Sequence, residues 1–89
     1  MDFKENVQFI LNNSPSEIDI RLKLDKMDMD KSQRTIIKFI LGNSISEIDM
    51  RWKLGKYIKD NDLSFLGKKI TILKDELQKV NKISAKISK

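Results

Sequence analysis

Residues 7–26, "VQFILNNSPSEIDIRLKLDK", return thirty positions later, at 37–56, as "IKFILGNSISEIDMRWKLGK", with thirteen identities in twenty. A chain of 89 residues that devotes so much of its length to two copies of one unit has few folds open to it. A period in this range belongs to stacked supersecondary units, and two copies fall below the roughly three that a self-supporting solenoid needs. The repeat therefore implies one supersecondary unit used twice and packed as a single globule. A domain this short buries a core near the lower limit for independent stability, and pairing with a second copy is a common remedy.

Within the unit, "EIDIRLKL" (17–24) alternates apolar and charged residues at period two, which by itself reads as a half-buried strand. Three features favour a helix instead. Ser14-Pro15-Ser16-Glu17 has the form of a capping box, with proline at the first helical position where its missing N–H is no loss. Ser44-Ile45-Ser46-Glu47 repeats the box. Finally, Glu17/Arg21, Asp19/Lys23, Glu47/Arg51 and Asp49/Lys53 each set an acid four residues before a base, the favourable order on a helix.

The expectation is an all-α fold. Residues 1–62 form a duplicated helical hairpin, with helices over about 3–12, 15–27, 31–41 and 45–59, and the segment 63–89 forms a long basic helix over about 63–87. On the second helix of each copy the apolar residues fall on two faces: Ile18/Leu22 and Ile20/Leu24/Met27, then Ile45/Ile48/Trp52 and Met50/Leu54/Tyr57/Ile58. A helix apolar on two sides is expected between neighbours or between subunits.

From Leu63 the apolar residues step by three and four, through Leu66, Ile70, Leu73, Leu77 and Val80 to Ile87, with Ser84 as the interruption. That is a heptad seam. Its wide first half suits docking on the body, and its narrow second half suits pairing with another copy. Leu73, Leu77, Val80 and Ile87 are thus the expected contacts of a homodimer.

Composition removes most chemistry. The chain has no histidine and no cysteine, so the commonest general base, the usual zinc ligands and any thiolate nucleophile are missing. Asp28-x-Asp30 and Asp60-x-Asp62 resemble pieces of a calcium loop, but Phe39 and Thr71 stand where the closing glutamate belongs. No glycine-rich phosphate loop is present among three glycines. The reading is therefore a non-enzyme without metal or cofactor. No apolar run approaches the roughly 18 residues of a membrane span, and a cytoplasmic location is expected.

The charge is one-sided. Residues 1–62 carry eleven basic and eleven acidic residues, so the net +5 lies wholly in 63–89. Such an end suits an anionic partner. In the run "IIKFILGNSISEIDMRWKLG" (36–55), the chain resembles the first two helices of helix-turn-helix and winged-helix DNA-binding domains, whose "IL…G.S..EI..RLG" pattern is similar. That resemblance implies a DNA-binding regulator. The opening turn of the third helix would then read bases through Lys31, Ser32, Gln33 and Arg34. Lys68, Lys69, Lys74, Lys79, Lys82 and Lys86 would supply phosphate contacts without sequence information. The competing expectation is an adaptor or inhibitor that binds another protein through the two-faced helices. Trp52, which replaces Leu22 of the first copy, favours it, because aromatics are enriched at interface hot spots.

Overall fold

The computed structural model describes residues 2–87, and beyond Val80 the backbone alone. It holds five α-helices: α1 (Phe3–Asn13), α2 (Glu17–Lys26), α3 (Lys31–Gly42), α4 (Glu47–Asp60) and α5 (Lys69–Ile87), with a 3-10 turn over Ser64–Leu66 before the last. No strand occurs among the described residues. The period-two alternation of 17–24 is thus carried on a helix. None of these helices is long and apolar enough to cross a membrane.

The starts of α1 to α4 are each fixed by a side chain that accepts from an otherwise unpaired N–H of the first turn. Asp2 caps α1 and Asp30 caps α3, the latter in a full capping box with Gln33. The caps of α2 and α4 are Ser16 and Ser46, which accept from the N–H groups of Asp19 and Asp49. They lie two residues beyond the expected Ser14 and Ser44. Ser16 and Ser46 carry the extended backbone a cap requires, whereas the Ser44 hydroxyl turns back to donate to the Ile40 carbonyl at 2.7 Å. Pro15 therefore precedes the helix instead of opening it.

The last helix also begins later than its apolar spacing implies. Gly67 adopts a positive φ of 58°, a conformation that suits glycine and interrupts a helix. Leu63 and Leu66 lie ahead of this break, so the stepping pattern from 63 is not one continuous helical seam.

The core is built from Val7, Leu11, Ile20, Leu24, Ile37, Ile40, Met50, Leu54, Tyr57 and Ile58. Burial of each such side chain contributes about 1.5–3 kcal/mol before entropy is set against it. Helix α1 lies against α2 and α4, α3 lies against α4 and α5, and Phe3 meets Tyr57 edge-on at 6.0 Å.

Polar bonds recur at a spacing of thirty. Lys23 donates to the Asn13 carbonyl (2.9 Å) and Lys53 to that of Asn43 (2.7 Å), closing the turn behind each helix pair. The arginines cross between pairs. Arg21 of α2 donates to the Leu41 carbonyl at the end of α3 (3.1 Å), and Arg51 of α4 donates to the carbonyls of Leu11 and Ser14 at the end of α1. Each pair thus supplies the cation that satisfies the other's open helix end.

Candidate interaction surface

The crossed arginines fix which face of α2 and α4 turns inward. Ile20, Leu24, Met50 and Leu54 are fully enclosed, so the opposite faces turn out. There Ile18 is 70% exposed, Leu22 53%, Ile48 81% and Trp52 52%, with Ile45 at 92% just ahead of α4. Singly exposed aliphatics need no explanation, but apolar residues aligned on one helix face do.

The two faces differ in detail. Along α4 an open groove of ≈ 300 Å³ is lined by Arg51, Trp52, Gly55, Lys56, Lys59 and Asp60. The Trp52 indole is held edge-on by Phe65, with ring centroids 5.6 Å apart, and Lys56 Nζ stands 5.8 Å from it. Between α2 and α3 a second groove, ≈ 290 Å³, is lined by Arg21, Leu22, Asp25, Arg34, Ile37 and Lys38 among others. Both are open troughs at the small end of ligand pockets. Gly55 has open space above it, where a side chain would stand over the groove.

The ion pairs beside these faces are internal to each helix. Arg21–Glu17 (2.9 Å), Arg51–Glu47 (3.3 Å), Lys53–Asp49 (2.7 Å) and Lys56–Asp60 (3.6 Å) follow the expected i,i+4 spacing. The hydrogen bond from Lys53, and then that from the Ile45 N–H, hold the Asp49 carboxyl below its ordinary range. A bond from the Ser64 hydroxyl, followed by one from its N–H, does the same for Asp62. Burial, followed by the charge of Asp30, pushes the Tyr57 hydroxyl up. No group of three or more potential metal-ligating side chains gathers among the described residues.

The residues expected to read bases are largely engaged within the chain. The Gln33 side chain accepts from the Asp30 N–H at 3.1 Å as half of the capping box. Arg34 donates to the carbonyls of Asp25 (3.3 Å) and Met27 (2.7 Å), docking the start of α3 onto the end of α2. Its guanidinium is therefore occupied where a base edge would need it. Ser32 is half-buried, and Lys31 is exposed. Lys68, Lys69, Lys74 and Lys79 are all exposed, with Lys79 3.8 Å from Glu76. Leu73, expected at a dimer seam, is 1% exposed and lies on α5, which packs on α3. A residue enclosed by its own chain has no surface to offer a second copy. Leu77 and Val80 are half-buried, and Lys82, Lys86 and Ile87 lie outside the described side chains.

Sequence reasoning explained Arg21, Arg51, Lys23 and Lys53 by their acids one turn away and missed their longer reach. The signal was available: each repeats at the spacing of thirty beside an "NS" turn full of unpaired carbonyls. No protein-family model, curated protein or solved structure matches the chain.

Proposed function

We propose that this protein is a non-enzymatic protein–protein interaction module, an adaptor or inhibitor, built from two copies of one helical hairpin. The observation that carries the reading is the outward apolar face of α4, with Ile45, Ile48 and Trp52, matched in α2 by Ile18 and Leu22. Much of that apolar surface is left to solvent and lowers solubility, so a partner surface is its simplest use. The lack of histidine and cysteine fits a protein that binds rather than catalyses.

The test is affinity purification of chemically cross-linked complexes from the native host with four chains of equal folding. The wild type and a variant with Lys68, Lys69, Lys74 and Lys79 changed to Gln should retain the same partner. Ile18→Glu/Leu22→Glu or Ile48→Glu/Trp52→Ala should lose it. If both face variants keep every partner, the reading fails.

A second reading, a small dimeric nucleic-acid-binding regulator, is favoured by the exposed lysines of α5 and the residues before it. They would act by phosphate neutralisation alone. Duplex DNA binding should then weaken steeply with salt, and the Lys→Gln variant should flatten that dependence. Sedimentation of Leu77→Glu against wild type tests the pairing.

A further inference from the structure

The repeat supplies an internal control for the outward faces. Between 7–26 and 37–56 every polar group that holds the fold is kept: both arginines, both lysines, the capping serines and their aspartates. Three of the exchanges fall beside the outward face. Pro15 becomes Ile45, Leu22 becomes Trp52, and Asp25 becomes Gly55. Each makes the α4 side more apolar or less acidic; Trp52 rests one edge on Phe65, and neither Ile45 nor Gly55 meets a packing need. Ile45 stands at the position before the cap, from which an apolar side chain commonly packs back on the fourth helical residue, here Met50. It is 92% exposed instead, while Met50 is enclosed.

The spacing defines the shape of what fits. Ile45, Ile48, Trp52, Gly55 and Lys59 step by three, four, three and four. That is the seam of a helix read by another helix, with Trp52 as knob and Gly55 as the space beside it. Helix α4 runs to Asp60 and carries the seam through; α2 stops at Lys26, and Asp25 blocks the matching step. Charge defines the rest. The α4 groove has Arg51, Lys56 and Lys59 on its walls against the single carboxylate of Asp60. Phe65 and Lys56 already hold the indole, so little ordering is left for binding.

We infer that the outward face of α4 docks an amphipathic helix of a partner protein, whose apolar stripe lies on Ile45, Ile48 and Trp52 and whose acidic flank meets Lys56 and Lys59. The inference rests on the interaction-module reading and gives it a partner class and a single face.

Trp52 is the only tryptophan of the chain, so its emission reports on the site directly. The probe is a synthetic peptide of about three heptads, the unit of such a seam, with leucine at the apolar positions and glutamate beside them. Titration into the full chain should give a saturable blue shift of Trp52 emission. Replacing the peptide's glutamates by lysine should weaken binding about tenfold or more, as like charges meet. Ile48→Glu should do the same, and Lys59→Glu should weaken it about threefold, as expected of rim charges. Because Ile48 is 81% exposed, Ile48→Glu should keep the helical circular dichroism of the wild type.

No shift with the acidic peptide overturns the inference. So does equal binding of the lysine peptide, a stronger shift with anionic vesicles, or wild-type self-association that Ile48→Glu abolishes. If the peptide fails while the α4 face variant still loses its cross-linked partner, the interaction module stands and only the partner class falls. If the peptide fails and both face variants keep every partner, the module reading fails with it.

Discussion

Ser14 and Ser44 occupy matched positions in the repeat and yet sit in different chemistry. The Ser44 hydroxyl donates to the Ile40 carbonyl, whereas the Ser14 hydroxyl is buried with no hydrogen-bond partner. Removing an unsatisfied buried hydroxyl relieves a desolvation penalty, so Ser14→Ala should be neutral or stabilise by up to about 1 kcal/mol. Ser44→Ala should cost about 1 kcal/mol through its lost bond. The caps behave otherwise: Ser16→Ala and Ser46→Ala should each cost about 0.5–2 kcal/mol. Urea denaturation of the four variants checks all of this, and a large loss from Ser14→Ala contradicts it. The cap positions are ambiguous in sequence for a simple reason. "SPSE" and "SISE" offer two serines two residues apart, and Glu17 and Glu47 complete a box only with the first. Asp19 and Asp49 select the second by donating their N–H groups to its hydroxyl oxygen, a choice made by backbone geometry and not by composition.

Helices were more legible than their ends or their partners. Acid-before-base spacing located α2 and α4 against a strand-like alternation, because ion pairs four residues apart exist only on a helix. Periodicity could not say which of two apolar faces turns inward, since each had enough carbon to be core. Arg21 and Arg51 decide it by reaching across to the ends of α3 and α1, and this predicts unequal stability effects. Arg51 serves two carbonyls and Arg21 serves one. Arg51→Ala should cost about 1.5–3 kcal/mol and Arg21→Ala about half that, on the scale of hydrogen bonds to charged groups. Thermal melts with a double-mutant cycle would test it, and equal effects would argue that the ion pairs to Glu17 and Glu47 dominate instead. The start of α5 was missed for a different reason: apolar stepping passes through Leu63 and Leu66 without registering that Gly67 turns the chain.

At the scale of the molecule the missing histidines set the response to pH. Between about pH 5 and 8 no side chain changes charge, so stability should be flat there. Asp49 and Asp62 titrate below the ordinary 3.8 when folded, so on acidification the unfolded chain takes up protons first. Their contribution is present above that value and is lost as pH falls through the folded values. Tyr57 runs the other way: its folded value lies above 10.0, so its contribution holds below that pH and is lost as pH rises further. Melting temperatures across the range should trace a plateau with two falling ends, and Asp49→Asn should soften the acid end. The crossed arginines carry one more consequence, for a chain made in order from its first residue. The end of α1 waits for Arg51, and the carbonyl that Arg21 seeks belongs to Leu41, so the first pair is not complete when its own last residue is synthesised. A growing polypeptide must therefore hold its first thirty residues unfinished until α4 emerges, and the two repeats mature together rather than one at a time.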